Sequence, residues 1–352
     1  MNLKIRTLCG PFRDWRYRRI CREIYGRKMR KSNGMNGKKA NWAFLLEVLG
    51  YMALVFGLAW LWPGIMENLV LNNLLCEAVL SLPVLVFMLV SGEKPASFLG
   101  FHKMKIRSAL MTVLFTFLTM PVLTLFNLIS QLWVENEVAA MMEEMQMGQM
   151  PLAAMLFSMS ICAPFFEEIT CRGAYYRAYR KSGGAVGAML LSSLIFAVSH
   201  MNFNQAAYAF VVGILAVLLV EATGSLWSSI LYHAVINGSQ AVLMYQVLKA
   251  NPDIYSEQAA MVTSDFLLYG IAAYLLATAF TLPLAWAVLV WISGNEGRRG
   301  VLPALWRERK EKKDKIITVP LILALFLGLL IMTGVVSRIF IQIYQYCFQY
   351  SG

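Results

Sequence analysis

The chain has 352 residues, of which 59% are hydrophobic and 14% charged, with a mean hydropathy of +0.58. Soluble domains run near 25% charged, so this composition excludes an ordinary soluble protein and describes a polytopic membrane protein. The net charge of +11 is local: residues 1–41 hold 13 Lys and Arg against Asp14 and Glu23, and the remainder balances at 18 against 18.

That basic arm, residues 1–41, precedes the first apolar run and reads as cytoplasmic by the positive-inside rule. Anionic lipid is its expected partner, at about 1 kcal/mol per basic residue near the surface. Arg13 to Lys31, with Trp15 and Tyr17 interleaved, also has the look of a nucleic-acid segment. No nucleic-acid fold accompanies it, so no nucleic-acid partner is expected. The first apolar run begins near Trp42 without a small-x-small cleavage site behind it and reads as an uncleaved anchor. Six cysteines (Cys9, Cys21, Cys76, Cys162, Cys171 and Cys347) lack CxxC spacing, which argues against both a disulfide framework and a zinc knuckle.

Apolar runs of span length lie near 43–63, 68–91, 109–134, 152–178, 185–203, 206–222, 225–246, 266–293 and 317–345. The expected fold is therefore all-α, a polytopic integral membrane helical bundle of about nine transmembrane helices. It divides into the arm at 1–41, N-terminal transmembrane helices at 42–150, a catalytic core at 151–246 and C-terminal transmembrane helices with a basic loop at 247–352. With the N-terminus inside, the predicted cytoplasmic loops include Lys94 to Arg107, Arg177 to Lys181 and Arg298 to Lys315, all basic. Predicted outer loops carry Glu135, Glu137, Glu143 and Glu144, then Asp253, Glu257 and Asp265. This alternation sets the C-terminus outside. Val138 to Met150 is methionine-rich and acidic, an amphipathic surface helix or an adaptable substrate surface. Pro83, Pro121 and Pro283 read as structural kinks, and the small residues of Gly183 to Ala188 as a place where the next helix approaches closely.

The chemistry is concentrated in three stretches. Phe165-Phe166-Glu167-Glu168-Ile169-Thr170-Cys171-Arg172 ends an apolar run behind Pro164, and an ionisable side chain at membrane depth costs at least ~2.5–3.5 kcal/mol, which makes it a functional candidate. Glu168 and Arg172 are four apart and share a helix face, while Glu167 points about 100° away. Pro164 removes a donor from the carbonyl of Ser160, so a kink is expected there. Phe196 and His200 end a second run, and His233 and Asn237 lie in a third, each pair at i, i+4. From the hydropathy boundaries, Glu168, His200, His233 and Asn237 stand roughly 20, 24, 14 and 20 Å above the cytoplasmic side, one band of depth.

Read as EExxxR, FxxxH and HxxxN in that order, the three stretches resemble the CPBP intramembrane proteases. These are the CAAX-prenyl proteases with their bacteriocin-processing and Abi-type self-immunity relatives. The resemblance covers roughly residues 150 to 245.

Amide hydrolysis needs an activated water, a stabiliser for the oxyanion and a proton for the leaving amine. A carboxylate deprived of water is a stronger base than one in solution. Glu167 is the candidate base, His200 helps hold the water, and His233 with Asn237 can donate toward one oxygen. Glu168 and Arg172 then form an internal ion pair that fixes the helix and the aim of Glu167, with Phe196 in support. The resemblance implies the same division of roles.

Other readings stay open. Glu168–Arg172 can be purely structural, and His200, His233 and Asn237 can be interhelical hydrogen-bonding residues. Asn237-Gly238-Ser239 matches a glycosylation sequon but lies at membrane depth. HExxH is absent, which excludes a zincin; zinc remains possible through Glu167, His200 and His233, with a metal-free glutamate mechanism favoured and no cofactor expected. A thiol mechanism through Cys171 lacks a neighbouring histidine.

The leading expectation is an intramembrane endopeptidase cutting a peptide or membrane-tethered protein in a bacterial cell membrane. The alternatives are a non-proteolytic membrane regulator or immunity protein that binds a partner, and a proton-coupled transporter. No repeat between halves supports the transporter. Substrate identity and oligomeric state are not encoded in any motif.

Overall fold

A computed structural model describes residues 34–61, 68–136, 151–251, 264–307 and 316–349. Most of the basic arm (1–33) and the whole methionine-rich segment, Val138 to Met150, lie outside the described residues. So do residues 62–67, 252–263 and 308–315.

The helices in chain order are α1 (Gly37–Leu61), α2 (Leu69–Val90), α3 (Pro95–Leu99), α4 (Ile106–Ser130), α5 (Leu152–Ser182), α6 (Ala185–Ser199), α7 (Phe203–Thr223), α8 (Leu226–Ala250), α9 (Ser264–Asn295), α10 (Val301–Arg307), α11 (Val319–Met332) and α12 (Val335–Gln349). No strand occurs among the described residues. Local chemistry sets several boundaries. Asn68, Asn202 and Ser225 cap α2, α7 and α8 by accepting from Leu71, Gln205 and Trp227 N–H groups. Gly224, at φ 75°, ends α7 in the left-handed conformation that glycine takes without strain.

Each predicted apolar run holds a helix among the described residues, but length and composition there support fewer crossings than nine. Among the described residues six helices are long and apolar enough to span a membrane, or seven if α11 and α12 form one bent span. Three features explain the difference. The 15 residues of α6 rise roughly 22 Å, short of the ~30 Å hydrocarbon layer. Polar side chains, His233 and Asn237 among them, keep α8 below the apolarity of a free span. The run at 317–345 is not one straight helix: it bends by 69° at Thr333 and Gly334, where Gly334 takes φ 68°.

Around α5 the bundle closes tightly. Tyr175 and Tyr179 donate to Glu47 and Asn41 on α1 at 2.8 and 2.5 Å, and Tyr176 donates to Glu221 on α7 at 2.5 Å. α6 packs against α7, where a Cβ on Gly213 would stand 2.6 Å from the Cβ of Ser193. A second close approach is at Gly328 on α11, where a Cβ would stand 2.5 Å from Val198 Cγ1 on α6. Gly183 and Gly187, in the predicted small-residue stretch, meet Ile316 at ordinary contact distances.

Candidate active site

The site is built on α5, and α5 is not a regular helix. Phe157–Cys162 and Ile169–Tyr175 take the wider i→i+5 pattern, with α-helical Ala163–Glu168 between them. In that wide register Ala163 N–H bonds Ser158 O, so the donor owed to Met159 O is residue 164. Pro164 has no N–H to give. Asn237 Nδ2 on α8 supplies the missing donor at 3.0 Å, and Asn73 Nδ2 on α2 reaches Ser158 O at 3.1 Å and Ser158 Oγ at 2.9 Å. The expected proline kink is thus a widened turn held open from two sides, a feature often found at functional sites.

Glu167 and Glu168 follow immediately. Arg172 Nη1 lies 2.9 Å from Glu168 Oε1, and the two side chains are 1% and 0% exposed. His233 reaches across from α8 between the glutamates: Nδ1 is 3.0 Å from Glu168 Oε1, and Nε2 is 3.5 Å from Glu167 Oε2. Glu168 paired with Arg172 is an acceptor, so it favours a proton on Nδ1 and turns Nε2 toward Glu167. Glu167 itself is 16% exposed, the more open of the two carboxylates.

α6 delivers the third side of the site. His200 caps its C-terminus, and the next residue, Met201, takes φ 53°, a left-handed conformation that residues with side chains seldom adopt. His200 Nδ1 is 2.7 Å from Phe196 O. A carbonyl only accepts, so Nδ1 carries the proton and Nε2 is left with its lone pair. Phe196 stands at the centre. Its ring meets His200 edge-on at 4.8 Å and His233 at 5.6 Å, and Arg172 sits 4.1 Å over its face. A guanidinium over an aromatic face is a cation–π contact. One phenyl ring therefore spaces both histidines and holds the arginine.

Six of the seven predicted site residues thus meet around Phe196, and the seventh, Asn237, lies one turn beyond His233 with one amide hydrogen given to Met159 O. Residues 149–239 match the family model described as type II CAAX prenyl endopeptidase Rce1-like. That is the CAAX protease family which the three motifs resemble, matched over about a quarter of the chain from just before α5 to the middle of α8. No curated protein and no solved structure matches the chain.

Beside that matched family, two further points of donor chemistry matter. Among the described residues no group of three or more His, Cys, Asp or Glu side chains is placed to hold a metal ion, so Glu167, His200 and His233 are not gathered as a ligand set. Cys171 is 0% exposed and buried on α5.

Two acidic residues escaped the motif reading. Glu47 on α1 is buried and accepts from Tyr175 at 2.8 Å and from Ser199, the neighbour of His200, at 2.5 Å. Glu77 on α2 is buried as well. The signal that would have found both is the one applied to Glu167: a carboxylate inside an apolar run.

Proposed function

We propose that this chain is an intramembrane endopeptidase that hydrolyses a peptide bond with water activated by Glu167. The observation that carries the reading is His233 set between two carboxylates, Glu168 behind it and Glu167 in front. Glu167 takes the proton of a water held also by the free Nε2 of His200. Charge then develops on the carbonyl oxygen, where the remaining amide hydrogen of Asn237 is the available donor, joined by Nε2–H of His233 when both of its ring nitrogens carry protons. Glu168 acts in this scheme through His233 as well as through Arg172. The mechanism needs no metal. The substrate is a peptide or a membrane-tethered protein, and the matched family's description makes a prenylated CAAX peptide the first to try. The N-terminal side is cytoplasmic and the C-terminus external, with bacterial cell membrane as the location.

The test uses full-length protein in lipid nanodiscs with a farnesylated CAAX peptide and a panel of unmodified peptides. Mass spectrometry of the products should show one cleaved bond, with activity surviving prolonged chelation and no stoichiometric metal by elemental analysis. Activity abolished by chelation and restored by zinc would overturn the metal-free mechanism. Absence of any product across the panel would point instead to a binding protein.

A further inference from the structure

Glu77 is a carboxyl group in an unusual position. It is 5% exposed inside the apolar helix α2, and its Oε2 is buried without a hydrogen-bond partner among the described residues. Asn73, one turn earlier on the same face, is the residue that grips Ser158 on α5. α2 therefore presents the face carrying Asn73 and Glu77 to the helix carrying Glu167, against which it packs. Both the Ala163–Glu168 segment, which carries Glu167, and the widened Ile169–Tyr175 segment after it pack against α2.

No cation among the described residues pairs with it. Arg172 is paired with Glu168 and covers Phe196, and both oxygens of Glu47 are taken by the hydroxyls of Tyr175 and Ser199. An isolated buried carboxylate is so costly that such a group stays neutral instead, as a proton-bearing acid. Two carboxyl groups in contrasting surroundings are the arrangement that separates an acid from a base. Glu167 is partly open and faces His233; Glu77 is enclosed.

We propose that Glu77 is the general acid of the reaction, deepening the peptidase reading on which it rests. Water attacks the carbonyl carbon, a C–O bond forms, and Glu167 takes the water proton. When the C–N bond breaks, its electron pair stays on nitrogen, which takes the proton of Glu77. The proton on Glu167 then passes to the Glu77 carboxylate, directly or through a water, and the pair returns to one proton. Grouped with Glu167 are His233 at 3.5 Å and, on the Phe196 ring that His233 also meets, His200 and Arg172.

The test compares wild type, Glu77→Gln, Glu77→Asp and Glu167→Gln as full-length proteins in nanodiscs, after thermal unfolding has shown each to be folded. Infrared spectra in H2O and D2O report protonated carboxyl groups directly. The band of a buried neutral acid should be present in wild type and Glu167→Gln and lost in Glu77→Gln. On a cleavable peptide, Glu77→Gln should lower kcat by about 10²–10⁴-fold with KM unchanged, the usual worth of general acid catalysis. Glu77→Asp should recover part of it. On the matching ester, whose leaving oxygen needs less help from a proton, the loss in Glu77→Gln should be smaller. An infrared spectrum unchanged by Glu77→Gln, wild-type kcat in that variant, or equal losses on amide and ester would overturn the proposal. If wild type cuts neither substrate, the peptidase reading fails and the acid role with it, while the infrared band still shows whether Glu77 holds a proton.

Discussion

Glu168, at the scale of single residues, has two neighbours competing for one oxygen, Arg172 at 2.9 Å and His233 at 3.0 Å. The ion pair was legible from the i, i+4 spacing, because both partners lie on one helix. The contact with His233 was not, since it joins residues 65 apart and depends on how α8 is rotated against α5. The same holds for Phe196, which spacing placed beside His200 but not over Arg172 and His233. Removing one partner of a buried ion pair leaves an uncompensated charge, so Arg172→Ala should cost about 3–5 kcal/mol of stability. The double change Glu168→Gln with Arg172→Met should recover part of that loss, measured by thermal unfolding in nanodiscs. A double variant no more stable than the single variants would show that the pair does not hold the fold.

At the scale of elements, α5 carries the site because it is irregular. Pro164 announced a disturbance in the sequence, but not its form, because a proline can kink, break or widen a helix. The form follows from tertiary partners: Asn237 stands where the widened turn leaves Met159 O without a donor, and Asn73 adds a second bond to Ser158 O. Pro164→Ala restores the N–H and favours a regular helix, with alanine better than proline by about 3 kcal/mol in a helix interior. The variant should be as stable as wild type or more so. Its cleavage rate should nonetheless fall on the order of 10²-fold, because Glu167 and Asn237 lose their register. Full activity in this variant would show that the widened turn is incidental.

At the scale of the whole molecule, hydropathy located apolar helices throughout the described residues, of which six or seven, not nine, are long and apolar enough to cross unaided. Composition registers apolar content, and it cannot see that α6 stops at His200, that α8 is polar because it carries part of the site, or that Gly334 bends the last run. Carboxylates outside the motifs were equally invisible, since Glu47 and Glu77 acquire meaning only when α1 and α2 fold against α5. What the motifs did identify is the set that converges on Phe196, and the central claim is that Glu167 within that set activates water. Glu167→Gln keeps the shape of the side chain and cannot accept the proton. The most direct measurement is the turnover of a substrate that wild type demonstrably cuts, by folded Glu167→Gln in the same nanodiscs. The account predicts that nearly all cleavage is lost while unfolding temperature and substrate binding are retained; wild-type turnover in this variant would contradict it.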